Sequence, residues 1–451
     1  MAGVTLSRWT MSYFTLALFA LFGAECLMAA GYGFPAAPIE APETLILVHL
    51  VAIGWLSLLL CGALFQFVPV LVARQIYSNW LPLPTLICLV TGLAALILGF
   101  LQLNGQAAPA APFFPAAAVL LSTGFALAIW NLGRTLWAAR PLTLPARFAV
   151  TGLFSLAATV LFGVIFALTL GGTTTYSHFL DVTAAGVPIH AIAGLGGWLT
   201  FTAMGVSYRL LAMFMLAPEL EGRTTRSVLY LGTAALTVAI LGGVATICIG
   251  RGMVEVLGAA GLLGLSALAF YGRDILHLYR VRRRRAIELN SRMAAVAVLS
   301  LAGAVILIVV LVALGILGQQ IGAVVFLVSF GWLSGLILAK LYKIVAFLTW
   351  LECYGPVLGK TPTPRVQDLV AERHADKFFL LYFAAVWSAT VAILAGFPLA
   401  FRLSAAAMTI ATAGIVVHLV RTRRLANVKM DLRLPTGTRM PRLLTSSPRH
   451  P

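Results

Sequence analysis

Two histidines stand where their side chains could do chemistry. His49 opens the stretch HLVAIGW, which ends at Trp55, and His190 opens HAIAGLGGW, which ends at Trp198. Both lie in long apolar runs, where an imidazole is expensive unless it has a partner. A neutral imidazole nitrogen is a common ligand for haem iron and copper. The plainer alternative is a hydrogen bond to a neighbouring helix. The two rings fall at nearly the same depth, offset by roughly 3 Å at the helical rise. Glu25 is an acid inside an apolar run beside Cys26, with no cation within a turn, and marks a candidate proton or ion path. Arg402 and Arg251 are isolated cations at the ends of apolar runs, and Glu255 lies one turn beyond Arg251.

The elements that must position these groups follow from composition. Of 451 residues, 61% are hydrophobic and 10% charged, which excludes a soluble globular chain. Apolar runs long enough to cross a bilayer recur from end to end. Only helices satisfy their own backbone groups in lipid without closing a barrel. The expected class is an all-α integral membrane protein with twelve spans. They fall at approximately 10–33, 44–73, 80–103, 112–134, 145–170, 186–216, 225–249, 253–280, 294–317, 319–352, 376–396 and 399–421.

The net charge of +17 does not imply nucleic acid, because of where the charge lies. Arg134, Arg140 and Arg147 follow the fourth span, Arg223 and Arg226 the sixth, Arg282–Arg285 the eighth, and Lys360 and Arg365 the tenth. All these connections fall on one side, so the positive-inside rule puts both termini in the cytoplasm. Contact with anionic lipid accounts for the rest. The tail, 422–451, is basic and rich in Pro and Ser, and is expected to be disordered. The five cysteines form no CxxC pair and read as small apolar residues.

A repeat organises the spans. Gly54-Trp55, Gly197-Trp198 and Gly331-Trp332 each open a similar pattern. Small residues follow at Gly62, Gly205 and Ala339, aromatics at Phe65, Tyr208 and Tyr342, and polar residues at Gln66, Arg209 and Lys343. The tryptophan, the small residue and the polar residue share one helical face. Each pattern lies in the second helix of a four-helix block, so three pseudo-equivalent units are expected, at about 10–134, 145–280 and 294–421. Arg209 and Lys343, at the inner ends of these helices, are expected to snorkel to lipid phosphate.

Twelve spans in three quasi-equivalent arcs, with histidines before Gly-Trp in the second and sixth helices, resemble subunit I of the haem-copper oxidases. In that family the second-helix histidine binds the low-spin haem, and His49 matches it. The sixth-helix histidine binds copper, and His190 falls in the corresponding helix. The resemblance also implies arginines between the last two helices for the haem propionates, and Arg402 occupies that place. Departures are specific. No Pro-Glu-x-x-Tyr follows His190, the seventh span from Ser227 has no adjacent histidines, and the tenth, from Gly318 to Trp332, has no histidine. The usual copper site and the second ligand of the low-spin haem are therefore missing, and oxygen reduction is excluded.

The resemblance then implies haem b, held between His49 and His190 or by one histidine in a five-coordinate site open to nitric oxide. Copper is a lesser expectation, with the same two histidines as its candidate ligands. The chain is also similar in general shape to the NnrS family. The expected function is electron transfer, response to nitric oxide or support of a respiratory complex. Its partners would be the bilayer of a bacterial inner membrane, respiratory-chain subunits or a small gaseous ligand, and not nucleic acid. The competing readings are a non-haem transporter using Glu25 and a helix break at Gly242-Gly243, or a structural subunit whose metal sites have decayed. No CxxCH, nucleotide loop or catalytic triad is present in the sequence; the Gly359-Lys360-Thr361 run lacks the upstream glycine of a phosphate loop.

Overall fold

Each apolar run becomes a helix because nothing in it competes with the helical hydrogen-bond ladder, and most runs end at a turn rich in Gly, Pro or charge. A computed structural model of the chain describes residues 8–108, 111–434 and 440–446. The described residues are 78% helical with no strand, so the all-α class holds. Twelve helices are long and apolar enough to cross a membrane. They are α1 Thr10–Ala30, α2 Pro42–Leu71, α3 Pro82–Leu103, α4 Phe113–Ala138, α5 Leu144–Leu170, α6 Val187–Met215, α7 Arg223–Cys248, α8 Val254–Arg280, α9 Leu289–Ala313, α10 Leu317–Val357, α11 Glu372–Leu394 and α12 Pro398–Arg423. Large apolar side chains such as Phe19, Phe154 and Leu262 remain exposed, as a lipid-facing surface requires. This is an integral membrane protein.

The contacts group the chain into two compact units, 1–51 with 286–451, and 52–285. The expected three four-helix units are not how the contacts divide. The physical reason is that α1 packs on α12, which joins the first span to the last four, and the division falls within α2. In the first unit α9 packs on α10 and α11 on α12. In the second, α3 packs on α4, α5 on α6 and α7 on α8. Close approach needs small residues where no hydrophobic force drives helices together. At Gly197 an added Cβ would strike Ser155, and at Gly331 it would strike Ser300. The glycine preceding each of these tryptophans is thus the point where its helix meets a serine of its neighbour.

Three stretches widen from α-helix into π-helix: Leu50–Ser57, Ile192–Phe201 and Leu327–Ser334. They contain Trp55, Trp198 and Trp332, all buried. A fourth, Val238–Gly242, falls in α7. There the helix runs on into Gly243–Cys248, so the expected break at Gly242-Gly243 is a widening and not an interruption. Single π turns of this kind are often found at functional sites.

Two boundaries and one tail differ from the sequence reading. Helix α9 begins at Leu289, and not at 294, because its polar first turn is held: Leu289 N–H donates to Glu372 Oε2 at 3.1 Å and Arg292 pairs with Asp376 at 3.2 Å. The connection between α5 and α6 carries a short helix, Ser177–Ala185. The tail is not disordered over 424–434 and 440–446. Leu425 and Val428 are buried against Cys353, Tyr354 and Leu369. Tyr354 Oη donates to the Arg433 carbonyl at 2.8 Å, and Arg423 Nη2 to that of Arg442 at 2.7 Å. The remaining tail residues lie outside the described ones.

Candidate functional site

His49 ends the α-helical start of α2, Pro42–His49, directly before the π segment. Its Nδ1 lies 2.8 Å from the Leu45 carbonyl oxygen. A carbonyl only accepts, so Nδ1 carries the hydrogen, and in the neutral ring the lone pair sits on Nε2. A metal-ligating histidine has this arrangement, with the far nitrogen tied to a carbonyl and the near one presenting its lone pair. The side chain is half-buried.

His190 occupies the matching place in α6, in the segment Val187–Ala191 just before the second π segment. Its ring meets Phe166 of α5 edge-on, with centroids 5.3 Å apart. On α5 a Cβ added at Gly163 would lie 3.7 Å from His190 Cε1. His49 belongs to the first unit and His190 to the second. Among the described residues no group of three or more His, Cys, Asp or Glu is placed to hold a metal ion.

Arg402, in the first turn of α12, reaches α1. Its Nε donates to the Ala29 carbonyl at 3.1 Å, and its side chain lies over Gly31. Gly31 has φ +85°, the left-handed geometry that ends α1, and a Cβ there would sit 3.1 Å from Arg402 Nε. Arg402 is thus a cationic cap on the C-terminal end of α1, where the helix dipole is negative. Met28, Phe34 and Phe401 line a shallow pocket with Gly31 and Arg402.

Glu25, two turns from that end of α1, is fully buried. Thr412 Oγ1 of α12 donates to its Oε1 at 2.9 Å. Tyr382 of α11 lies within electrostatic range of the carboxyl and donates its hydroxyl hydrogen to the Phe330 carbonyl at 3.2 Å. Phe330 sits in the third π segment, where Ser334 Oγ also donates to the Ser329 carbonyl at 2.7 Å. The Phe330 carbonyl also accepts from the Gly335 N–H, so the hydroxyls add to the main-chain bonds of the π segment. Thr412, Tyr382 and Ser334 went unmarked in the sequence because hydroxyls are ordinary in membrane helices. Glu25 and Arg402 share the α1–α12 pair; neither can be related in position to His190, in the other unit.

The second unit has its own buried acid, which the sequence reading missed. Asp274 of α8 accepts from Tyr208 Oη at 3.0 Å and Thr225 Oγ1 at 2.8 Å, while Ser207 and Tyr271 share a hydrogen bond of 2.7 Å. Tyr208 is one of the repeated aromatic positions, which was the available signal. Asp274 lies among Arg273, His277 and Arg280 and so passed as part of a solvated helix end.

Arg209 and Lys343 do not reach out to lipid. Arg209 pairs with Glu219, and Lys343 Nζ lies 2.8 Å from Glu288 Oε2. A carboxylate within reach offers a stronger, charge-assisted partner than a mobile headgroup. No protein-family model matches this chain, and no curated protein matches its sequence.

Proposed function

We propose that the chain is a haem b-binding membrane protein built on the plan of haem-copper oxidase subunit I, serving electron transfer, response to nitric oxide or support of a respiratory complex, and not oxygen reduction. One observation carries the reading: His49 Nδ1 is held by the Leu45 carbonyl, the kind of contact that orients the ring of a metal-ligating histidine. His49 would be the residue that holds the haem iron through its imidazole. His190 is the further candidate ligand, and would be dispensable if His49 alone held the iron. Haem, when bound, supplies one-electron chemistry or a site for a small gaseous ligand. Leu45 orients the His49 ring, and Arg402 is the candidate cation for a propionate.

The coincidence of a π segment with each Gly-Trp supports a threefold internal repeat. The one-sided basic loops support cytoplasmic termini and residence in a bacterial inner membrane. Copper fits poorly, since among the described residues no group of three or more His, Cys, Asp or Glu is placed to hold a metal ion.

The test is an oxidised and a dithionite-reduced absorption spectrum of the detergent-purified protein, with iron and copper analysis of the same sample. A Soret band lost in His49→Ala supports the proposal. A colourless, iron-free sample from haem-replete cells overturns it and leaves a non-haem transporter or a structural subunit.

A further inference from the structure

Glu25 is an acid with an unusual set of neighbours. It has no exposed surface, and one of its oxygens, Oε2, has no hydrogen-bond partner among the described residues. Its Oε1 is satisfied by Thr412, whose hydroxyl is turned to the carboxyl. No lysine or arginine is among the groups that act on it. An ionised carboxylate so deep in a bilayer, with one hydroxyl and no cation, is strongly disfavoured. A protonated carboxyl fits the same surroundings: one oxygen accepts from Thr412 and the other carries the hydrogen.

The elements packed around Glu25 offer few other titratable groups. On α1 there is Cys26, whose thiol is hydrogen-bonded to Thr409. On α11 there is Tyr382, whose own hydrogen is committed to the Phe330 carbonyl, leaving its oxygen lone pairs to accept. From α10 and α12 come Ser334 and Thr412, which do not titrate. A metal cation would need a shell of several oxygens. Among the described residues no group of three or more His, Cys, Asp or Glu is placed to hold a metal ion, and Thr412 is a donor to the carboxyl. The surroundings suit a proton and not a sodium or potassium ion.

We propose that Glu25 is a proton-carrying site: its carboxyl is neutral in this packed bundle and exchanges one proton with the aqueous phase, with Thr412 orienting Oε1 and the Tyr382–Phe330 pair linking the site to the π segment of α10. The step is one proton leaving Oε2 for water and one returning from water, with no redox partner. It does not rest on haem, and its readout is independent of haem content.

The experiment is infrared spectroscopy of the full chain in lipid nanodiscs, following the carbonyl stretch of protonated carboxylic acids from mildly acid to alkaline pH. The wild type should show a band at neutral pH that shifts on deuteration, fades only at alkaline pH and is missing in Glu25→Gln. Thr412→Val, which keeps the acid but removes the donor to Oε1, should move that band to higher frequency. If Glu25→Gln does not fold, the Thr412→Val shift makes the assignment, and a band that does not move overturns it. A carboxylate signal from Glu25 at neutral pH, or a band abolished by sodium at constant pH, also overturns the proposal.

Discussion

Tyr382 and Phe330 are joined across two helices: the tyrosine hydroxyl of α11 donates to the main-chain carbonyl of a π turn in α10, at 3.2 Å. The π turn bonds this carbonyl internally to the Gly335 N–H, and the oxygen's second lone pair is open to a donor from another helix. Tyr382 is fully buried and supplies one. The relationship explains why a tyrosine, and not a phenylalanine, stands here.

Tyr382→Phe should therefore destabilise the first unit by about 0.5–1.5 kcal/mol, the net worth of one hydrogen bond to a carbonyl that keeps its Gly335 N–H partner. Thermal unfolding in detergent checks this. An unchanged midpoint would mean that the Gly335 N–H alone satisfies the carbonyl.

Arg423 and Glu352 form a buried ion pair, with Nη2 and Oε2 2.7 Å apart and both side chains under a tenth exposed. Arg423→Ala leaves Glu352 in place and also frees the Arg442 carbonyl, so it should cost about 3–5 kcal/mol. Limited proteolysis should then cut the tail near Arg442 far faster than in the wild type. The double variant Arg423→Met, Glu352→Met should recover much of the loss, since it leaves no uncompensated charge.

In the second unit, Tyr208→Phe and Thr225→Val each remove one donor to Asp274. Each should cost about 1–3 kcal/mol, the range for depriving a buried acceptor of a donor. Asp274→Asn should cost less than either donor removed together with the other, because the amide still accepts. A double-mutant cycle on Tyr208 and Thr225 measures the coupling; strict additivity would show that the two hydroxyls do not share the acid.

Asp368 gives a pH dependence outside the spans. Burial works against its ionisation, but hydrogen bonds from the Arg365 side chain and backbone N–H, with the charges of Arg365 and Lys429, outweigh it and hold the carboxyl below its ordinary value of 3.8. A depressed acid contributes stability that is complete above its unfolded value and is lost as pH falls through its folded one. The loss should therefore appear only below about pH 4, and it should be small because the pair is exposed. Unfolding midpoints of wild type and Asp368→Asn should converge as the pH is lowered through that window. Curves that stay parallel would remove Arg365–Asp368 from the acid limb.

The spectrum gives a fifth outcome through His190. If both histidines hold one haem, His49→Ala and His190→Ala should each change the Soret position. If the iron is five-coordinate on His49, only the first variant should lose the band, and added nitric oxide should shift the wild-type spectrum.

Sequence alone was enough for the number of spans and the helical class, because a run of apolar residues has one stable form in lipid whatever surrounds it. It marked Glu25 too, since an acid in such a run is anomalous without reference to any partner. It could not reveal Thr412 as that partner, 387 positions away, because the pairing of α1 with α12 depends on packing and leaves no local pattern. Nor could periodicity show the π turns, whose residues are as apolar as the α-helix on either side. The start of α9 and the seating of the tail were decided by tertiary contacts. Arg292 finds Asp376, and Arg423 finds the Arg442 carbonyl, and without those partners both polar segments would read as solvated chain. Burial follows from composition, but which polar group meets which is settled only when the helices are packed.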